Sequence, residues 1–216
     1  MDGWLHRYFL NNAEKRLHKW AHYFDIYERH LSRLRNQKPV ILEIGVFGGG
    51  SLKMWKEYFG CDAQIVGLDI EESCKQYEEP GIEIFIGSQD DPAVIGDILE
   101  KYSALDVVID DGSHRMEHMT ASFDLLYPFV TDGGVYLVED THTCYWEEYG
   151  GGLHQPLSFI EFAKSKIDEI NAVHTRGQVS QTELTKLTDA IVFYDSVVVF
   201  EKRRQSFRQA FKTGPM

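Results

Sequence analysis

The chain is poor in cysteine and in long apolar runs, and each shortage argues against a class of protein. The three cysteines, Cys61, Cys74 and Cys144, are odd in number and scattered, which favours a reduced cytoplasmic setting. No run approaches the roughly 20 apolar residues that a membrane helix needs. No charged-then-apolar signal-peptide pattern stands near Met1. We therefore predict a cytoplasmic protein without a membrane partner.

Positive charge is also scarce. Lysine and arginine number 22 against 34 acidic residues, a net charge of -12 among 216 residues. A general nucleic-acid binder needs a basic face to neutralise phosphates, so no nucleic-acid partner is expected. The length suits one main domain with a substantial core.

The N-terminal segment carries an apolar stripe with spacings of three and four, which is typical of one long helix or a helix pair. Its members are Leu10, Ala13, Leu17, Trp20, Phe24, Tyr27, Leu31 and Leu34. The stripe predicts a helical cap on the domain, with a homo-oligomer seam as the alternative. We expect a helical segment over 1–38, the main domain over 39–203 and a basic tail over 204–216.

After Val40, short apolar strands alternate with helical patterns, which predicts an α/β fold with a doubly wound, mostly parallel sheet of seven strands. Asp91-Pro92 and Ser158 are typical helix starts. The last two strands surround a tight polar turn, so a terminal antiparallel hairpin is expected. The predicted strands are 40–44, 64–68, 83–86, 106–109, 135–138, 190–194 and 197–201.

A glycine-rich loop, Glu43 to Ser51, follows the first strand and precedes a helix. Glycines allow a sharp turn and close approach of a nucleotide-like ligand. Phe47 stands where a dinucleotide fingerprint needs its second glycine, and the loop has no P-loop lysine. The pattern therefore favours a nucleoside cofactor without phosphates, such as S-adenosylmethionine (SAM).

Polar residues also follow the other strands, at the sheet edge where α/β proteins bind ligands. Asp69 suits the two ribose hydroxyls, although it could instead cap the next helix. The candidate cofactor-binding residues are Glu43, Gly45, Ser51, Asp69, Ile70, Ser88, Gln89, Asp90 and Asp110.

Acidic residues end two strands that are expected to be neighbours. Asp110 and Asp111 follow the fourth strand, and Glu139 and Asp140 follow the fifth. Such crowding is relieved by a divalent cation, and an all-oxygen ligand set favours Mg²⁺, Mn²⁺ or Ca²⁺. We expect Asp111, Glu139 and Asp140 to be the ligands and Asp110 to face the cofactor, although the order of Asp110 and Asp111 stays open. Capping of helices is the alternative.

His114 lies three residues beyond Asp111, so it can reach a hydroxyl held on the metal and act as general base. With Glu117 and His118 it also matches an inverted zinc-peptidase motif, but its position just after a strand argues against that use. The segment after the fifth strand carries His142, Tyr145, Trp146 and Tyr149, which suit a lid or stacking on a sugar, or else ordinary packing.

Three segments resemble motifs of known enzyme families. Residues 43–51 resemble the first motif of class I SAM-dependent methyltransferases. Asp110 to His114 and Val138 to Thr141 resemble motifs of the metal-dependent sugar O-methyltransferases of macrolide biosynthesis (mycinamicin type) and of cephalosporin-hydroxylase-like proteins.

The resemblance covers about 39–202. It implies SAM and Mg²⁺ as cofactors, the metal ligands and base already named, and a role in antibiotic or polysaccharide biosynthesis. The preferred hypothesis is O-methylation of a hydroxyl on a sugar or glycosylated small molecule. Alternatives are a metal-dependent oxygenase on the same fold, a nicotinamide-dependent dehydrogenase, or a non-catalytic SAM-binding subunit. The acceptor is not specified by the sequence.

Overall fold

A computed structural model describes residues 3–205 and 210–215 of the chain. The predicted tail, 204–216, therefore lies partly outside the described residues. Within the described part, seven strands form one sheet. They are β1 (Val40–Ile44), β2 (Gln64–Asp69), β3 (Ile82–Ile86), β4 (Leu105–Asp110), β5 (Val130–Val138), β6 (Thr188–Tyr194) and β7 (Val197–Lys202). The predicted strands are confirmed, most of them with slightly longer bounds.

The helices lie on both faces of the sheet. Trp55 and Phe59 of α3 are fully buried. The α-helices are α1 (Trp4–Asn11), α2 (Tyr23–Leu31), α3 (Gly50–Phe59), α4 (Pro92–Lys101), α5 (Met116–Leu126), α6 (Phe159–Ile170) and α7 (Glu183–Leu187). Asp91 caps α4 by accepting a bond from the backbone amide of Ala93, and Ser158 caps α6 in the same way, as the sequence predicts.

The strand order is β3-β2-β1-β4-β5-β7-β6, with β1 to β5 parallel and β7 antiparallel to both of its neighbours. The doubly wound sheet and its terminal hairpin are thus confirmed. Register aligns Ile44 with Leu68 and Asp110, and aligns Asp110 with Val138. The loops after β1, β4 and β5 therefore leave the sheet at the same level. The strand order reverses at β1, which lies between β2 and β4, and ligands of α/β proteins bind at such a reversal.

The predicted N-terminal stripe is wrong as a continuous feature. Residues 12–22 are not helical, and Leu10 and Trp20 are 67% and 52% exposed. α1 ends at Asn11 with Asn12 as its cap, and the chain then passes the carboxyl ends of the strands before α2 begins. Leu5, Phe24 and Leu31 are buried in the core beneath α3. The two helices thus cover the domain within one subunit, which agrees with the predicted cap.

No helix in the described ranges combines the length and apolar character needed to cross a membrane.

Candidate active site

Two adjoining cavities lie beyond the carboxyl ends of β1, β2 and β4. The larger has a volume of about 400 Å³ and is lined by the N-terminal segment, the glycine loop and the residues that follow β4 and β5. The smaller, of about 190 Å³, is lined by the residues that follow β2 and β3. Gly45, Asp69 and Gly112 line both cavities, so the two form one continuous cleft.

Gly45 is needed because the loops after β1 and β4 touch at this point. Its φ is +92°, and a Cβ atom on it would lie 2.1 Å from the backbone oxygen of Asp111. Only glycine combines that backbone conformation with such close approach. The glycine loop is thus fixed directly against the segment that carries the acidic residues.

Asp69, the last residue of β2, holds the same loop through hydrogen bonds. Its Oδ2 accepts hydrogen bonds from the backbone amides of Val46 and Phe47, at 2.7 and 3.1 Å. Its Oδ1 accepts one from the backbone amide of Glu71 at 2.9 Å. A carboxylate has about four lone-pair sites and these amides use three, so capacity for one ribose hydroxyl remains. Ile70 beside it is 70% exposed and lines the smaller cavity.

Gln89 is the buried member of the segment after β3. Its Nε2 donates to Asp110 and to Ser122, and its Oε1 accepts from the backbone amide of Ser113. Ser88 lines the smaller cavity and donates to the exposed Asp90. Gln89 therefore ties the β3 loop to the β4 loop.

Asp110 lies beneath the cleft and lines neither cavity. Besides Gln89, its carboxylate accepts bonds from the hydroxyls of Ser122 and Tyr136, at 2.6 and 3.4 Å. Burial raises its pKa, against the lowering effect of Ser122 and Gln89. The structure thus separates the two neighbouring aspartates: Asp110 belongs to an interior network and Asp111 faces the larger cavity.

Glu43 and Ser51 are also buried away from the cavity walls. Glu43 accepts bonds from the Ser51 hydroxyl at 2.6 Å and from the Trp55 indole at 3.1 Å. Burial raises the pKa of Glu43, although nearby Lys19 acts in the opposite direction. These two predicted cofactor contacts stabilise the start of α3, and neither reaches the cleft.

Asp111, His114 and Asp140 form the one cluster with metal-ligand spacing among the described residues. One donor atom from each lies within 4.8 Å of the others. The Tyr23 hydroxyl donates to Asp140 Oδ1 at 2.6 Å, and Lys19 Nζ donates to Asp111 Oδ2 at 2.7 Å. The remaining oxygens, Asp111 Oδ1 and Asp140 Oδ2, lie 3.9 and 3.7 Å from His114 Nε2. The two carboxylates are hard oxygen ligands of the kind that Mg²⁺ and Mn²⁺ prefer, whereas an imidazole is more typical of Zn²⁺.

Glu139, the third predicted ligand, is not a member of that cluster. Its buried carboxylate accepts bonds from the Tyr27 hydroxyl at 2.7 Å and from Lys19 Nζ at 2.9 Å. Burial raises the pKa of Glu139 to about 8, against the lowering effect of Lys19. Glu139 lines the larger cavity, but its oxygens are held by protein donors.

The aromatic segment after β5 borders the cleft. His142 contacts the rings of Trp146 and Trp20, with centroid separations of 4.8 and 5.9 Å. Its buried Nδ1 has no hydrogen-bond partner among the described residues and lies 4.0 Å from Asp140 Oδ1. Tyr145 and Trp146 are about half exposed, and Tyr149 lies 6.5 Å from the His114 ring. None of the four predicted substrate residues lines the larger cavity, whereas Trp20 does.

Sequence reasoning missed the contribution of the N-terminal segment. Lys19, Trp20 and Tyr23 all line the larger cavity, although they precede the first strand. Lys19 also bonds to Glu43 at 3.4 Å, which makes three carboxylates around one ammonium. Burial alone would lower the pKa of Lys19, but Asp111, Glu139 and Glu43 raise it well above its usual value. The inverted zinc motif is not assembled, because among the described residues Glu117 and His118 belong to no cluster with metal-ligand spacing.

Comparisons with known proteins agree on one family. A sequence profile described as Rhamnosyl O-methyltransferase/CmcI matches residues 25–148, which is more than half of the chain. The chain is 39% identical over 165 residues to demethylmacrocin O-methyltransferase of Streptomyces fradiae, covering 70% of this chain and 41% of that one. It is 31% identical over 200 residues to 8-demethyl-8-alpha-L-rhamnosyl tetracenomycin-C 2'-O-methyltransferase of Streptomyces olivaceus, covering 87% and 52%.

A solved structure agrees with the sequence matches. The chain resembles the MycE methyltransferase of the mycinamycin biosynthetic pathway, in complex with Mg, SAH and mycinamycin VI. The TM-score is 0.80 at 35% identity, and the match covers 92% of this chain and 52% of that one. The chain spans about half the length of the relatives it matches. The predicted methyltransferase fold is confirmed by this similarity.

Proposed function

Since the chain belongs to the Rhamnosyl O-methyltransferase/CmcI family, we propose that it is a Mg²⁺-dependent SAM O-methyltransferase. Its acceptor would be a hydroxyl on a sugar or on a glycosylated small molecule. Relatives named for methyl transfer to rhamnosyl and olivosyl groups support this substrate class. One structural observation carries the proposal: a cluster of Asp111, His114 and Asp140 opens into the same cleft as Asp69 and the glycine loop.

The cleft divides into two parts with different chemistry. The smaller cavity, lined by Asp69, Ile70 and Ser88, would take the nucleoside, with Asp69 accepting a bond from a ribose hydroxyl. Gly45 and Gly112 line both cavities, and a Cβ atom on either would clash with the backbone of Asp111 or with the Gln89 side chain. The larger cavity, beside Asp111 and Asp140, would take the acceptor. The methyl donor and the acceptor would therefore meet next to His114.

His114 would act as the general base. Its Nε2 would take the proton of the acceptor hydroxyl, while Asp111 and Asp140, within 4 Å of that nitrogen, would stabilise the imidazolium that forms. When bound, Mg²⁺ would hold and acidify the acceptor hydroxyl, and SAM would supply the methyl group. Asp111, Asp140 and, after a rearrangement of its partners, Glu139 would supply the metal's protein ligands.

The aromatic border would position the acceptor. Trp20 lines the larger cavity and contacts the ring of His142, which in turn contacts the ring of Trp146. Aromatic faces suit the apolar face of a pyranose, and the half-exposed Trp146 would offer such a face. We also retain the predictions of a cytoplasmic location, of no nucleic-acid or membrane partner, and of a homo-oligomer as an alternative role for the N-terminal helices.

Isothermal titration calorimetry with SAM, together with an assay of methyl transfer, tests the proposal. SAM should bind to the full chain with and without Mg²⁺, and methyl transfer to a rhamnosyl or olivosyl glycoside should require Mg²⁺. Absence of SAM binding under both conditions would reject the proposed activity. Binding of SAM without transfer to any glycoside would favour the accessory-subunit alternative.

A further inference from the structure

Lys19 holds an unusual position for a charged side chain. Within residues 12–20, which the structure describes throughout, Lys19 alone is buried. Its side chain is 2% exposed, and its ammonium lies 2.7 Å from Asp111 Oδ2, 2.9 Å from Glu139 Oε2 and 3.4 Å from Glu43 Oε1. A buried ammonium with three carboxylate partners serves as a counterion at the centre of an acidic cluster.

Two of those partners, Asp111 and Glu139, are the predicted metal ligands that follow β4 and β5. A Mg²⁺ ion contacts its oxygen ligands at about 2.0–2.1 Å and prefers six of them. An ion on the same oxygens as Lys19 would therefore bring two cationic centres into close contact without a screening ligand between them. Lys19 and a divalent cation cannot both hold Asp111 Oδ2 and Glu139 Oε2.

The outer oxygens alone make a poor site. Asp111 Oδ1 and Asp140 Oδ2 supply only two oxygen ligands, because His114 Nε2 beside them would take the proton of the acceptor hydroxyl. Withdrawal of Lys19 would release the carboxylates of Asp111 and Glu139 and yield the oxygen-rich set that hard cations prefer. The long, flexible stem of lysine, on a segment without helical structure, makes such a withdrawal feasible.

We propose that Lys19 is a tethered counterion that occupies the carboxylates of Asp111 and Glu139 until a divalent cation displaces it. Lys19 thereby sets the cation affinity of the site as a positioning residue. It also couples cation binding to the N-terminal segment that forms one wall of the larger cavity. The inference rests on the proposed function, because it assumes that the cleft binds a divalent cation.

The coupling follows from how that segment is anchored. Apart from Lys19, the segment contacts the glycine loop through a hydrogen bond from Gly50 to the backbone oxygen of Arg16 and through the Arg16 guanidinium over the Phe47 ring. Lys15 bonds to Glu79 at the surface. Lys19 is the one buried residue of the segment, so its release would leave the contacts just named and the partly buried Leu17 to hold the segment, and its backbone should open more often.

The main experiment is a calorimetric titration of Mn²⁺ into the chelator-treated full chain without SAM. Lys19→Met keeps much of the apolar stem and removes the ammonium, so it should bind Mn²⁺ at least tenfold more tightly than the wild type. Lys15→Met is the matched control, because it removes a lysine from the same segment outside the cluster, and its affinity should stay within twofold of the wild type.

A double variant separates displacement from general electrostatics. Lys19→Met with Glu43→Gln has the same net charge as the wild type and leaves fewer unpaired carboxylates, so it also guards against failure of the single variant to fold. Displacement predicts that the double variant binds Mn²⁺ at least tenfold more tightly than the wild type. An affinity equal to that of the wild type would mean that only charge matters, and would overturn the proposal.

Amide hydrogen exchange on the wild type provides a second readout. Saturating Mg²⁺ should raise the exchange rate of residues 12–22 at least threefold and should leave α4 unchanged. Equal Mn²⁺ affinity in wild type and Lys19→Met, or unchanged exchange, would overturn the proposal while the metal-dependent function stands. Absence of Mn²⁺ binding in every variant would reject both the metal-dependent function and the role of Lys19.

Discussion

His114 and Asp140 approach to 3.7 Å between Nε2 and Oδ2, and both have a left-handed backbone, with φ of 57° and 51°. This conformation is uncommon outside glycine and costs of order 1–3 kcal/mol per residue. The two residues lie on different loops, after β4 and after β5. Backbone strain on both sides of one contact indicates that the surrounding fold holds the two side chains together.

His114→Asn tests the general base. Asparagine tolerates the left-handed conformation, so the loop should survive while the imidazole is lost. Turnover should fall by about 10²–10⁴-fold, with SAM affinity within twofold of wild type by calorimetry. His154→Asn is the matched control, since His154 has φ of 60° and a side chain that is 79% exposed. Wild-type turnover in His114→Asn would remove the residue from this role.

Tyr23→Phe tests the donor that orients Asp140. The Tyr23 hydroxyl donates to Asp140 Oδ1 at 2.6 Å, and loss of such outer partners typically weakens metal binding by about 10–100-fold. We expect that loss in a Mn²⁺ titration. Tyr8→Phe should bind like the wild type, because Tyr8 packs on Trp4 away from the cleft. Equal affinities in the two variants would contradict the assignment of Asp140 as a ligand.

Asp69→Asn tests the hydrogen bonds that hold the glycine loop to Asp69. In the wild type, backbone amides donate to both oxygens of the carboxylate. The NH₂ group of an asparagine would face some of those amides, donor against donor. The free energy of unfolding should fall by about 1–2 kcal/mol in urea denaturation, and SAM affinity should fall at least tenfold. Asp62→Asn changes an aspartate that is largely exposed and should alter neither quantity. Retained SAM affinity would show that Asp69 does not contact the ribose.

Gly45→Ala tests the contact between the loops after β1 and β4. The added Cβ would meet the backbone oxygen of Asp111, and φ of +92° strains any L side chain. Unfolding free energy should fall by about 3 kcal/mol. Gly96→Ala, on the exposed face of α4 with open space around it, should instead stabilise the protein by about 1 kcal/mol. A stable Gly45→Ala protein would mean that the loops can separate.

Local signals in the sequence predicted the sheet well. Apolar runs bounded by polar residues identified the strands, because parallel strands are buried on both faces. Ligand residues were expected at the carboxyl ends of those strands, and Asp111, His114 and Asp140 do meet there. The metal-ligand, base and cofactor assignments themselves remain predictions that the experiments above address.

The N-terminal segment could not be predicted in the same way. The apolar spacing predicted one long helix or a helix pair, and the chain forms the pair α1 and α2 with residues 12–22 between them not helical. Lys19 stands between His18 and Trp20 with no pattern around it, because its burial depends on carboxylates that are 24, 92 and 120 positions away. The sequence favoured Asp111 as the metal ligand and Asp110 toward the cofactor without settling their order, and the structure shows that Gln89 and Ser122 hold Asp110.

Anomalous diffraction from crystals soaked in Mn²⁺ tests the central claim most directly. We predict one strong peak about 2.0–2.6 Å from carboxylate oxygens of both Asp111 and Asp140, at the larger cavity and next to His114. A map with strong peaks elsewhere on the protein, and none between these two side chains, would contradict the assignment of this cluster as the metal site of a methyltransferase.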